Sequence, residues 1–105
     1  MASASTRAPL SSKLDDPEAV PYFLWDAPMT VAELHSRLAT SGEPERMRLL
    51  GKILREARDT DVWHFTTPAD VAAAWPTLQR FLGRRRTFWR FLLGRWRLLA
   101  GDEPA

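Results

Sequence analysis

The chain has 105 residues, of which 45% are apolar and 10% are aromatic, and it contains no cysteine. This length suits one domain, and the apolar content is typical of a globular protein rather than a disordered one. The lack of cysteine excludes disulfide bonds, thiolate catalysis and cysteine-ligated zinc, and it agrees with the reducing cytoplasm that we expect as the location.

The charges are unevenly distributed along the chain. The formal net charge is only +2, and 13 of the 15 cationic residues are arginine. Seven arginines and no acidic residue lie between Arg80 and Arg97, whereas most acidic residues lie between Asp15 and Asp70. The C-terminal end is therefore strongly basic. No uncharged apolar run reaches the roughly 18 residues of a membrane span, and the first residues lack the apolar segment of a secretory signal.

The N-terminal fifth is expected to be a tail rather than part of a core. Residues 1–19 consist mainly of serine, alanine, proline and charged residues, a composition typical of disorder. A single helical domain is predicted over residues 20–100, followed by a second disordered tail over 101–105. The domain begins with "PYFLWD", residues 21–26, which we expect to be extended because it is short and Pro28 follows.

Capping signals and apolar spacing predict the first two helices. Thr30 and Glu33 have the spacing of a capping box, and the helix that they begin is expected to end near Gly42. Pro44 suits the first turn of the second helix. The buried face of that helix is predicted to contain Met47, Leu49, Leu50, Ile53, Leu54 and Ala57.

Two further helices are predicted in the C-terminal half. Thr67 is expected to cap a short helix that ends at Trp75, since the residue before a proline disfavours helical geometry. One or two turns follow, and Gly83 separates them from a last helix over residues 85–100. The predicted fold class is all-α, a small bundle of four to five short helices with an extended N-terminal segment.

No enzymatic site is indicated. The histidines are His35 and His64, and neither has a serine or lysine at a recognisable nucleophile spacing. Asp59, Asp61 and His64 are the candidate metal ligands in sequence. A metal site needs three or four convergent ligands, and we expect His64 to have a packing role, so the signal for a metal site is weak. We therefore predict a protein that is not an enzyme, with no catalytic residue, cofactor or metal.

The stretch "RRRTFWRFLLGRWRLL", residues 84–99, contains six arginines and four aromatic residues. On a helical wheel, one apolar arc spans about 140°. It comprises Phe88, Trp89, Leu92, Leu93, Trp96, Leu99 and Ala100. Arg86, Arg90 and Arg97 cluster beside this arc. Phe91 and Leu98 form a second apolar strip, and Arg84 and Arg95 lie between that strip and the main arc.

A helix that only covers a core needs one apolar arc, so the second strip indicates a second neighbour such as another protein. Aromatic residues and arginine are the types that anchor protein interfaces. The predicted partner-binding residues are Arg84, Arg86, Arg90, Phe91, Arg97 and Leu98. Four tryptophans, at positions 25, 63, 75 and 89, are expected in the core because so small a domain needs large side chains to bury area.

Other functions of this helix stay open at this point. The arginines could bind DNA or RNA, which makes a small nucleic-acid-binding regulator the alternative function. A homo-oligomer could cover Phe91 and Leu98, or the helix could serve the core alone with solvated arginines. Binding to a membrane surface is disfavoured, because exposing the main apolar arc would remove about half of the core.

Three segments also resemble the landmarks of a known group of proteins. They are "PYFLWD", "RLLGKILREARDTDVW" and "WPTLQRFLGRRRTFWRFLLGRW", at residues 21–26, 48–63 and 75–96. In this order they resemble small bacterial proteins encoded beside nucleotidyltransferase-type toxins of the abortive-infection class. The resemblance covers about residues 20–97. It implies an antitoxin or accessory subunit, a small helical protein that holds a nucleotidyltransferase inactive in phage defence, and it assigns no individual residues.

Overall fold

The computed structural model describes residues 10–99. They contain four α-helices, several short 3-10 helices and two strands of two residues each, so the predicted all-α class is confirmed. The sequence predicted one helical domain over residues 20–100. The chain contains two compact units, one ending at Thr40 and the other beginning at Ser41, which are described separately below.

The N-terminal unit begins with a strand pair. Strand β1, Leu10–Ser11, pairs in parallel with β2, Val20–Pro21. Leu14, in the turn between them, is only 3% exposed. The prediction of a disordered tail over residues 1–19 is therefore wrong for residues 10–19, because strand pairing and the burial of Leu14 hold this segment. Residues 1–9 of that predicted tail, and all of the tail predicted over 101–105, lie outside the described residues.

The segment after β2 is a 3-10 helix, Tyr22–Leu24, and the prediction that it is extended is wrong. Phe23 and Leu24 are each 1% exposed, whereas Trp25 is 62% exposed. A 3-10 helix has three residues per turn, which places Trp25 on the side of half-buried Tyr22. The prediction that Trp25 belongs to the core is wrong for this reason.

Helix α1, Val31–Thr40, begins as predicted. The Thr30 hydroxyl oxygen accepts a hydrogen bond of 3.1 Å from the Glu33 backbone N–H, which is the capping bond expected from their spacing. Two backbone bonds also join the first turn to the preceding segment, from Val31 to Ala19 at 2.8 Å and from Ala32 to Pro17 at 3.0 Å. The start of α1 is thus held by both its cap and the chain before it.

The C-terminal unit is built on α2, Glu43–Glu56, with Pro44 in its first turn. All six residues of its predicted apolar face are at most 9% exposed, so this face is confirmed. Gly51 lets the 3-10 helix Gln79–Phe81 approach α2 closely, since a Cβ at Gly51 would lie 2.7 Å from the Cβ of Phe81. The Arg55 guanidinium donates to the Phe81 carbonyl at 2.9 Å and fixes this contact.

Helix α3, Pro68–Leu78, has the predicted N-terminal cap but a different end. The Thr67 hydroxyl oxygen accepts a hydrogen bond of 3.1 Å from the Asp70 backbone N–H. The predicted end at Trp75 is wrong. Pro76 lies in the last turn, where its missing N–H removes one helical bond and the chain still reaches Leu78. The 3-10 helix Gly83–Arg85 then begins at Gly83, whose φ is +53°.

The last helix, α4, comprises Arg86–Arg95 and is shorter than the predicted 85–100. The backbone N–H of Arg97 donates to the Gly94 carbonyl at 2.9 Å, and the backbone N–H of Leu98 donates to the Leu93 carbonyl at 3.0 Å. These bonds are those of a Schellman motif, with Arg97 in the left-handed conformation at φ 59°. Residues beyond Arg95 therefore leave the helix, and the prediction that Leu98 shares a helical face with Phe91 is wrong.

Candidate binding surface around the last helix

Trp89 anchors α4 to α2. Its side chain is fully buried, and its indole N–H donates to the Leu54 carbonyl at 2.9 Å. The rings of Trp63 and Phe88 meet it edge to face, with centroid distances of 5.7 Å and 5.1 Å. Leu93, one turn later, is also fully buried. One face of α4 is thus fixed against the core by a large aromatic cluster.

Phe91 lies on the opposite face of α4. At about 100° per residue, Phe91 lies about 180° from the midpoint between Trp89 and Leu93. Its side chain is 60% exposed, and the guanidinium of Arg95 lies 6.0 Å from its ring centroid. The Phe91 ring therefore points away from the core, and the prediction that Phe91 stays outside the core is confirmed.

The segment that caps α4 exposes two more large apolar side chains. Trp96 is 43% exposed, with its ring 6.0 Å from the half-buried ring of Trp63, and Leu98 is 36% exposed. The prediction that Leu98 stays outside the core is confirmed, whereas Trp96, expected in the main apolar arc, is exposed because α4 ends before it. We call the exposed residues at the end of α4 and in its cap, Phe91, Arg95, Trp96, Arg97 and Leu98, the C-terminal surface. Within it, Trp96 lies on the side of Trp63, and Phe91 lies on the face of α4 opposite Trp89.

The predicted arginine cluster is only partly brought together. Arg84 is exposed in the 3-10 helix before α4, and Arg86 and Arg90 are exposed one turn apart on one side of α4. Arg97 is also exposed, but its predicted place beside Arg86 and Arg90 is wrong because it lies in the cap after the helix. Arg95 and Arg97 instead flank exposed Trp96 in the chain, and the Arg95 guanidinium also lies 6.0 Å from the ring centroid of exposed Phe91. The four-residue spacing from Phe91 to Arg95 is the signal that would have found the first of them.

Arg85 belongs to the packing of α4 rather than to its exposed side. Its guanidinium lies 4.7 Å from the ring centroid of Phe88 and 5.9 Å from that of Trp89. These are cation–π distances, and the side chain is half-buried. Arg85 thus covers one edge of the aromatic cluster that anchors the helix.

The remaining candidate residues show no convergent chemistry. His35 and His64 are both exposed. Among residues 10–99, no three histidine, aspartate or glutamate side chains form a group that could hold a metal ion. Within the same residues, every helix is too short or too polar to cross a membrane. Of the tryptophans expected in the core, Trp75 is 8% exposed and Trp89 is fully buried.

No protein-family model, curated protein sequence or solved structure significantly matches the chain. The resemblance to antitoxin-like proteins therefore stays a prediction.

Proposed function

We propose that this chain is a non-enzymatic protein-binding module that docks on an acidic partner through its C-terminal surface. The observation that supports this proposal most strongly is the position of Phe91, 60% exposed on the face of α4 opposite the fully buried Trp89 and Leu93. A large aromatic ring held on a rigid helix away from the core is the kind of side chain that anchors protein interfaces.

The composition of the C-terminal surface favours a protein as the ligand. Phe91, Trp96 and Leu98 supply apolar area, and Arg95 and Arg97 supply cations beside it. Interface cores are enriched in aromatic residues and arginine, which combine apolar contact with charge-assisted hydrogen bonds. A partner with an apolar pocket edged by carboxylates would match both properties.

Charge supports an acidic partner over a second copy of the chain. Seven arginines and no acidic residue occur between Arg80 and Arg97. A symmetric dimer through this surface would place arginines of one copy against those of the other, and like charges across an interface are costly. An acidic surface would instead be attracted to it before contact.

The resemblance suggests which partner this is. We propose a cytoplasmic complex with a nucleotidyltransferase toxin, in which this chain acts as the antitoxin or accessory subunit. Such enzymes place carboxylates around catalytic metal ions. Arginines of the C-terminal surface could bind those carboxylates and compete with magnesium and with the phosphates of the nucleotide.

Nucleic-acid binding is the second candidate, and one observation favours it. Trp96 is exposed and lies between Arg95 and Arg97 in the chain. An exposed aromatic ring flanked by cations is the arrangement on which bases of a single strand stack. Salt distinguishes the two candidates, because each phosphate contact releases counterions whereas apolar docking does not.

The test is to co-express the chain with the protein encoded by the adjacent gene, and to mix the purified chain with labelled single-stranded RNA and duplex DNA. We expect a protein complex whose affinity falls less than about tenfold between about 50 and 200 mM salt, and no oligonucleotide binding. Absence of the protein complex would contradict the proposal. An oligonucleotide complex that weakens about a thousandfold over the same range would establish the second candidate instead.

A further inference from the structure

Arg97 adopts a backbone conformation that suits glycine. With φ at 59°, it is the one non-glycine residue of the described chain, residues 10–99, with a positive φ. The left-handed region brings the Cβ of an ordinary residue too close to its own backbone, a contact that glycine avoids. At the other positive φ of the described residues, +53°, the chain has glycine, Gly83.

The fold itself does not need the side chain of Arg97. The Schellman motif closes through backbone bonds, from Arg97 to the Gly94 carbonyl and from Leu98 to the Leu93 carbonyl. Glycine makes the same bonds and is the common residue at this position. The arginine side chain is exposed, so burial does not explain it either.

The residues on either side of Arg97 in the chain are large, exposed and apolar. Trp96 and Leu98 are 43% and 36% exposed, and Phe91 precedes them on the last turns of α4. When a partner covers these apolar side chains, water is excluded around the guanidinium, and its attraction to an opposite charge increases. Arginine offers a planar fork of donors that fits a carboxylate bidentately.

We infer that Arg97 is a specificity-determining residue of the C-terminal surface, whose guanidinium binds an aspartate or glutamate carboxylate of the partner. This inference rests on the proposed protein-binding function. A role in binding explains why arginine rather than glycine occupies this left-handed position. Arginine makes the end of α4 less stable than glycine would, but it supplies the guanidinium that binds the partner.

The experiment measures stability and binding in the same variants. Arg97→Gly is expected to raise the Tm of the isolated chain by about 4 °C, because the left-handed strain disappears. The same variant is expected to bind the adjacent-gene product about ten- to a hundredfold more weakly, the loss typical of a hydrogen-bonded charge. A side chain with a purely structural role would not move the two quantities in opposite directions.

Two further variants separate charge from backbone. Arg97→Asn keeps a residue that tolerates the left-handed region but removes the charge, so it is expected to bind as weakly as Arg97→Gly. Arg97→Lys keeps the charge but loses the bidentate fork, and its affinity is expected to lie between those of the wild type and Arg97→Gly.

Specific results would overturn the inference. Wild-type affinity in Arg97→Gly, or a lower Tm in that variant, would contradict it. If either result is found for Arg97→Gly while Phe91→Ser abolishes binding, only the role of Arg97 is wrong and the proposed function stands. If the wild-type chain forms no complex with the adjacent-gene product, the proposed function and the inference fall together.

Discussion

Replacing Trp89 with alanine is expected to destabilise the C-terminal unit strongly. The side chain is fully buried, and its loss would leave a cavity between α4 and α2 next to Trp63 and Phe88. Truncating a buried tryptophan costs about 3–5 kcal/mol, against a total stability of about 5–15 kcal/mol for an ordinary domain. The Leu54 carbonyl would also lose its indole donor. Urea unfolding followed by far-ultraviolet circular dichroism measures the change.

Trp89→Phe is the matched control for this prediction. It keeps an aromatic ring in the cluster but removes the hydrogen bond to the Leu54 carbonyl, so a smaller loss of about 1–3 kcal/mol is expected. If the free energy of unfolding of Trp89→Ala lies within about 1 kcal/mol of the wild-type value, the tryptophan does not anchor α4. The rigid display of Phe91 on the opposite face would then lose its structural basis.

Replacing Phe91 and Leu98 together with serine is expected to abolish partner binding and leave the fold nearly unchanged. Both side chains are exposed in the isolated chain, so the free energy of unfolding should change by less than about 1 kcal/mol. In a complex, an aromatic anchor of an interface contributes about 2 kcal/mol or more, which is over tenfold in affinity. Calorimetric titration with the adjacent-gene product, alongside thermal unfolding of the variant, measures both effects.

The chain offers a matched control for the loss of apolar surface. Leu10 and Trp25 are 49% and 62% exposed and lie in the N-terminal unit, outside the C-terminal surface. Replacing both with serine removes a similar amount of exposed apolar area, and we expect wild-type affinity. Equal binding by the Phe91 and Leu98 variant, or equal loss in the control pair, would contradict docking at the C-terminal surface.

Helix starts and buried faces could be predicted because their causes are local. The Thr30 and Thr67 caps depend on a hydroxyl and a backbone N–H three residues apart, and both bonds are present. The buried face of α2 follows from helical periodicity alone. Phe91 was also correctly expected outside the core, because its angular position on α4 does not depend on where the helix ends.

Helix ends and long-range pairing could not be predicted in the same way. The left-handed residue after α4 is Arg97 rather than a glycine, so the apolar periodicity alone predicts a helix that continues past Arg95. Leu98 is exposed as predicted, but it lies in the cap after α4 and not on a helical strip with Phe91. Likewise, the pairing of Leu10–Ser11 with Val20–Pro21 involves two residues per strand, too few for an alternating pattern to be visible.

Side-chain footprinting of the complex shows which exposed side chains of this chain the partner covers. Hydroxyl-radical labelling modifies exposed aromatic and aliphatic side chains, and the isolated chain offers Phe91, Trp96, Leu98 and Trp25 as exposed targets. With the adjacent-gene product bound, labelling is predicted to fall several-fold at Phe91, Trp96 and Leu98 and to stay unchanged at Trp25. Protection of Trp25 with full labelling of Phe91 would show that the partner binds elsewhere and would contradict docking at the C-terminal surface.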